Sequence, residues 1–313
     1  MALRVVGAIA LPTMPVPLSI VVSSRTPWPH IQPTLAAIVR EARTVGAEII
    51  VADGCGRALP EPLVSPYDEV VWLKVPGAGA FGLRAAAVAR ARAPVVAITE
   101  DHTIVRPGWC RRILQVHAEH PSAVAVGGAV ENASTEHLRD WAGFFIANSP
   151  FLLPLQNGET ERISLQANIS YKRRVLERAG SGDLGLMEML LNRELREQNQ
   201  TLVADDRIVV DHVQGLSLGT FCVLHFHNGR SIAGYRLPRM SAFERIVRLG
   251  GCAILPPVML ARTLGTVMQK RRLVGLAFAC VPLMTLMLCC HAAGECVGYI
   301  TGPGESPRYK HIG

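Results

Sequence analysis

No two cysteines among the 313 residues stand in a C-x-x-C pair, and the eight present (55, 110, 222, 252, 280, 289, 290 and 296) form no even framework. That spacing offers neither a disulfide scaffold nor a paired-cysteine motif, and it fits buried thiols in a reducing compartment. Aromatic residues are scarce at 5%. The basic residues have no aromatic platform interleaved with them, so a nucleic-acid strand would find nothing to stack on, and nucleic acid is set aside as a partner. Only 18% of the residues are charged against 49% hydrophobic, which excludes a chain that stays disordered. Internal repeats and low-complexity segments are also lacking, which removes solenoids and propellers. What is left is a folded protein long enough to bury one large core or two modest ones.

The formal charge of +7 is concentrated. Between Arg236 and Arg272 eight basic residues face one acid, Glu244, so the rest of the chain is neutral overall. This segment runs into Leu273 to Ala293, "LVGLAFACVPLMTLMLCCHAA", which holds no Asp, Glu, Lys or Arg. As one helix it would span roughly 31 Å, about a bilayer core. A basic collar beside such a run points to anionic lipid at the cytoplasmic membrane face; the alternative is a buried core helix. A second apolar run, Leu249 to Met268, is broken by Pro256, Pro257 and Arg262, and it reads as re-entrant or lying in the interface. Residues 1–17 have only Arg4 as a basic flank and three prolines, so they read as an extension rather than a signal peptide.

Between these ends, strand-length apolar runs alternate with helical patterns. "LSIVVSS", "AEIIVADG", "EVVWLKV" and "VVAIT" read as strands, with helices over 31–45, 81–93 and 108–120. Further on, 123–132 and 164–174 read as a strand and a strand entering a helix, 183–199 as a helix, and 201–213 as one or two strands. Such alternation predicts an α/β fold with a mostly parallel sheet, whose ligands bind at the carboxyl ends of the strands. Asp53, Glu100, Asp101 and His102 all fall at such ends.

Ligand-type side chains follow one another in "VVAITEDHTIVRPGWC". In an extended chain Glu100 and His102 share a face and Asp101 takes the other. A carboxylate and an imidazole suit Mn2+ or Mg2+ bound jointly with phosphate oxygens. On their own they can equally cap a helix or meet water, and Asp53 can be a plain turn acid before Gly54. His225 and His227, alternating in "HFHNGRS", offer a second metal pair if that segment is extended. Gly294 and Gly298, four apart, suit a close helix contact.

Taken in order, "SIVVSS", "EIIVADG", "GLRAAAVARARAPVVAITEDH", "ANISYKRRVL", "MEMLLNREL" and "DRIVVDHV" resemble a family 2 glycosyltransferase of the GT-A fold. The resemblance covers residues 18–235 and leaves 236–313 as a basic, helical, membrane-associated region. It implies a Rossmann-like nucleotide-sugar fold in which Ser23, Asp53, Arg84 and Asp101 bind the nucleotide, with Asp53 receiving a uracil-type base. It places Glu100 and His102 at the position that holds the divalent ion and diphosphate, with the late His212 beside them. Asn168 falls in the loop that opens toward donor and acceptor, and Glu188 is the catalytic base, with Asp183 the next candidate. Two departures are visible: E-D-H stands for D-x-D, and Glu188-Met189 for Glu-Asp. The implied reaction is inverting sugar transfer from a nucleotide donor, of the UDP type, to an envelope glycan or lipid-linked acceptor. The rival is a binding partner of the same fold that no longer turns over.

Overall fold

Leu18–Ser24 forms the first strand, β1, and every one of its residues is buried, as expected of a strand covered on both faces. The structure, a computed structural model, describes residues 16–28, 30–55, 67–179 and 186–309. All but two residues of the N-terminal extension, and Asp183, lie outside these. The expected alternation follows: α1 (Gln32–Arg43), β2 (Glu48–Asp53), β3 (Val70–Lys74), α2 (Ala80–Arg90), β4 (Val95–Glu100), β5 (Thr103–Val105), α3 (Trp109–Glu119) and β6 (Ala125–Asn132). Pro33 sits in the first turn of α1, where its missing N–H has no helical partner to lose.

Next come α4 (Leu138–Asn148), β7 (Gly158–Glu159), β8 (Ile169–Lys172), α5 (Arg173–Ala179), α6 (Glu188–Glu197) and β9 (Leu202–His212). The segment read as one or two strands is thus a single strand, with a register shift opposite Gly128 and Ala129. Nine strands make one sheet in the order β3-β2-β1-β4-β8-β6-β9-β5, with β7 also on β9. β8 is antiparallel to both β4 and β6, and β6 is parallel to β9. Strands β3, β2, β1, β4, β6 and β9 therefore run one way, and Asp53, Glu100 and His212 close three of them on the same edge.

The C-terminal layer consists of α7 (Leu218–Arg236), α8 (Ala242–Gly251), α9 (Leu255–Lys270), α10 (Val274–Ala279), α11 (Val281–Thr301) and α12 (Ser306–Tyr309). The apolar run expected as one helix over 273–293 is two. Pro282 lacks the N–H that a continuous helix would need, so α11 starts afresh there. Only α11, among the described residues, is long and apolar enough by itself to cross a membrane, and half of its most apolar window is buried inside the protein. Ala277, Cys280, Met284 and Met287 belong to the same core as β1, α1 and α4. Helices α8 and α9 make a pair bent by 68°.

Two more expectations are corrected here. His225 and His227 lie on α7, where residues two apart face nearly opposite sides, so they form no metal pair. His227 instead stacks on Tyr309 with ring centroids 4.2 Å apart and shares a hydrogen bond with Ser306. The basic collar is also partly spent inside the protein. Arg272 grips Glu131 with both nitrogens, Lys270 donates to the carbonyls of Leu152 and Pro154, Arg245 to that of Ile300, and Arg236 to the Tyr299 hydroxyl. Within the collar's described residues, Arg262 and Arg271 have no such partner, and Arg248 has only the charge of Glu244 one turn away.

Candidate active site

Glu100 ends β4, and a two-residue turn, Asp101 and His102, leads into β5. Strand β5 pairs with the end of β9 through Thr103 and His212, which brings His212 to the same spot. Glu100 Oε2 lies 3.6 Å from His102 Nε2 and 3.5 Å from His212 Nε2, and the two Nε2 atoms are 3.2 Å apart. These are the three residues that can share a metal ion. Asp101, in the turn rather than in extended chain, reaches back to the loop after β1. Its Oδ2 accepts from the Ser24 hydroxyl and from the backbone N–H groups of Arg25 and Thr26, while its Oδ1 faces His102 Nδ1 at 2.8 Å. The Thr34 hydroxyl donates to the Asp101 carbonyl.

Behind this cluster lies Arg84, with no solvent exposure. Its Nη1 is 3.0 Å from Glu188 Oε2 and its Nη2 3.5 Å from Glu100 Oε1. The resemblance lists Arg84 with the nucleotide binders; here its guanidinium joins the expected metal ligand to the expected base. Electrostatics follow from the packing. Burial pushes the Glu100 carboxyl up, but His102, His212 and Arg84 together outweigh it and hold it at about 2. Asp101 is likewise pushed up by burial and brought well below its ordinary range by His102 and the N–H groups of its loop. Burial lowers His102, and Glu100 and Asp101 raise it further, to about 9. Burial keeps His212 below its ordinary value. The negative charge of the spot is met within the protein by Arg84 and His102, and an ion bound there would take over the part of His102.

The other expected residues are more dispersed. Ser23 sits in β1 in register with Glu100. Asp53 ends β2 beside Ser24, and its Oδ1 accepts from the Cys55 N–H at 2.7 Å. Neither lines the cavities described below. Asn168 is fully buried. Its Oδ1 accepts from the Trp109 indole, and its amide nitrogen donates to the carbonyls of Ala129 and Ile208 across the register shift of β6 and β9. An amide so occupied staples the sheet, and the wall facing the cavity falls to its neighbours Leu165, Gln166 and Ala167.

Two cavities meet here. The first, of about 730 Å³, holds Glu100, Asp101, His102 and His212 with Arg25, His30 and Thr34 on its rim. The second, of about 900 Å³, has Glu188 in its wall and runs out between α7, α8, α9 and α11, past Phe243, Arg248 and Arg262. Phe81, Ala147, Leu165, Gln166, His225 and Asn228 line both. The periodicity of the chain gave no sign of the second cavity, nor of Tyr171, which is buried beside Glu188 and donates to Asn192 Oδ1. Chemically, the arrangement can hold a cation and an anion in one cavity and set a carboxylate on a second molecule in the other.

Comparison with known proteins adds to this. A family model described as glycosyl transferase family 2 matches residues 19–180. The mannosyltransferase PcManGT from Pyrobaculum calidifontis, solved in complex with GDP-Man and Mn2+, aligns at a TM-score of 0.55 and 15% identity, over 91% of this chain and 88% of that one. At that identity the likeness is one of fold. S. aureus TarS, residues 1–349, aligns over 90% of each chain at 13% identity and a TM-score of 0.49. No curated protein matches significantly.

Proposed function

Because the chain belongs to glycosyl transferase family 2 and shares the GT-A arrangement of sheet and helices, we propose that it is an inverting, metal-dependent transferase. It moves a sugar from a nucleotide donor, of the UDP type, to a hydroxyl of an envelope glycan or lipid-linked acceptor at the cytoplasmic membrane face. The observation that carries this reading is the Arg84 bridge, which holds Glu100 in the first cavity and Glu188 in the second within one buried unit.

Glu100, His102 and His212 would hold the divalent ion, Mn2+ or Mg2+, which supplies charge neutralisation for the leaving diphosphate. The Asp101 loop binds the nucleotide at the first cavity, and Asp53 and Ser23, which line neither cavity, meet the part of it that reaches past that lining. Glu188 accepts the proton of the acceptor hydroxyl from the opposite side of the sugar, so that a single displacement inverts the anomeric carbon. The shared lining of the two cavities supports this division, with the donor in the first and the acceptor in the second.

Attachment to the membrane is supported by α8 and α9. Phe243 is 75% exposed, Ile246 67% and Ile254 63%, beside Arg248 and Arg262. Such a pair suits lying in the interface, with its apolar side in the lipid and its guanidinium groups at the headgroups. The second cavity opens against these helices, which is where an acceptor carried by a lipid would enter.

The test is a thermal-shift screen of nucleotide sugars with and without Mn2+, followed by assay of donor hydrolysis. A donor at 100 times its dissociation constant should stabilise the protein by about 2.7 kcal/mol. If no nucleotide sugar stabilises the protein and none is hydrolysed, the reading is lost.

A further inference from the structure

The donor atoms of Glu100, His102 and His212 make a triangle with sides of 3.2, 3.5 and 3.6 Å. Nitrogen and oxygen ligands lie about 2.0–2.2 Å from a first-row dication. Two of them sharing an ion therefore stand about 2.8–3.6 Å apart, for bond angles between octahedral and tetrahedral. The three side chains are thus already placed to close on one ion without help from a substrate.

The orientation of His102 is fixed as well. Asp101 Oδ1 only accepts, so Nδ1 of His102 carries its proton toward it, and Nε2, the nitrogen that faces Glu100 and His212, is the one an ion would take in place of a proton. Asp101 in turn is anchored through Oδ2 by three donors of the Ser24–Thr26 loop. A carboxylate behind an imidazole in this way orients the ring and raises its basicity as a ligand.

We infer that this two-histidine, one-carboxylate set binds a first-row transition-metal dication by itself, before any nucleotide, taking Co2+, Ni2+ or Zn2+ ahead of Mn2+ and Mg2+ last. The inference rests on the glycosyl-transfer reading for the use of the ion, though not for its binding. Magnesium takes oxygen ligands, keeps several waters and is usually held by carboxylates together with substrate phosphates. Here the protein offers one hard oxygen and two imidazoles, a set whose affinity follows the order Mn2+ < Co2+ < Ni2+ and extends to Zn2+. His102, where the family pattern has a second carboxylate, is the residue that sets the preference. The ion's remaining positions face the first cavity, where diphosphate oxygens would complete its shell.

The experiment uses the full chain, stripped of metal with a chelator and titrated calorimetrically with Co2+, Mn2+ and Mg2+ in the absence of nucleotide. One Co2+ per chain is expected, bound at least tenfold more tightly than Mn2+, with no detectable heat from Mg2+. The near-ultraviolet spectrum of the Co2+ form should lack a thiolate charge-transfer band, which separates this site from the eight cysteines. His102→Asp should weaken Co2+ and raise Mn2+ and Mg2+ relative to it, and Asp101→Asn should weaken Co2+ by about 10–100-fold with all three ligands kept. Mg2+ binding as tightly as Co2+, or Co2+ binding only once UDP is added, would overturn the inference from the parent protein alone, whatever the variants do. Either result together with donor turnover would overturn it while leaving the glycosyl-transfer reading intact. Tight Co2+ binding with no nucleotide sugar bound or hydrolysed would instead keep this inference and remove that reading.

Discussion

Arg84 Nη1 meets Glu188 Oε2 at 3.0 Å with both side chains buried, and the same guanidinium reaches Glu100 at 3.5 Å. Removing one partner from such a cluster leaves charge buried without compensation, typically at about 3–5 kcal/mol. Arg84→Met should therefore lower the unfolding free energy by about that amount in denaturant titrations. Arg84→Lys keeps the charge but not the fork that spans two carboxylates, and should lose turnover out of proportion to its smaller loss of stability.

Glu188→Gln keeps the size and the contact with Arg84 but cannot take a proton. A general base acts on the acceptor hydroxyl only in the transition state, so turnover should fall by about 10²-fold or more while the donor dissociation constant stays put. Near-normal turnover would remove Glu188 from the reaction. Because Glu188 is buried against Arg84, loss of its charge costs stability whether or not it reacts, so the rate and the donor dissociation constant decide its role.

For Asp53 the measurable quantity is base preference. One carboxylate oxygen is taken by the Cys55 N–H, which leaves the other to accept the N3 hydrogen of uracil. Cytosine presents an acceptor at that position and would face the oxygen with no proton between them. Asp53→Asn should flatten a preference for UDP over CDP in binding assays. Equal affinity for the two in the parent protein would count against the role.

His117 gives the fold a pH response away from the site. Burial, aided by the nearby charge of Lys172, lowers its pKa to about 4, and its Nε2 shares a hydrogen bond with Ser170. Folded His117 is thus neutral where unfolded His117, near its ordinary value of about 6.5, takes a proton. The stabilisation is complete above about 6.5 and is lost as pH falls toward about 4, at a slope on the order of 1.4 kcal/mol per pH unit. Chemical denaturation of the parent and His117→Gln across pH 4–7 should show that contribution in the parent alone.

Membrane contact should be probed on α8 rather than by truncation. Deleting 273–313 would strip Cys280, Met284 and Met287 from the core shared with β1 and α4, so the expected product is an unfolded chain rather than a soluble domain. Phe243→Ser combined with Ile246→Ser changes only exposed positions. The double variant should melt like the parent and lose flotation with anionic vesicles; full flotation would exclude α8 as the contact.

Much of this was legible in the chain. That Glu100 and His102 meet was, though not by the alternation expected: Asp101 and His102 form a turn, and the turn brings the imidazole back to Glu100. Where Arg84 points was not: its partners lie 16 and 104 residues away, and no local pattern encodes such a meeting. Asn168 was assigned by resemblance to an open loop, yet three hydrogen bonds spend its amide inside the sheet. For His225 and His227, alternation suggested a strand, but Ser217 accepts from the Thr220 N–H and starts a helix, a capping signal that stood in the sequence. The apolar run around residue 280 looked continuous because hydropathy averages across Pro282, whereas hydrogen bonding does not.

Helix α11 lies against α7 with backbone nearly touching backbone. A Cβ on Gly294 would come within 1.9 Å of the Phe226 carbonyl oxygen, one on Gly298 within 2.5 Å of the Arg230 oxygen, and one on Gly229 of α7 within 2.1 Å of the His291 oxygen. Helices packed this closely turn together as a single strut. Phe221, Leu224, His225 and Asn228 of α7 form part of the wall of the first cavity. Any shift of α11 is therefore delivered, with no loop to absorb it, to that wall.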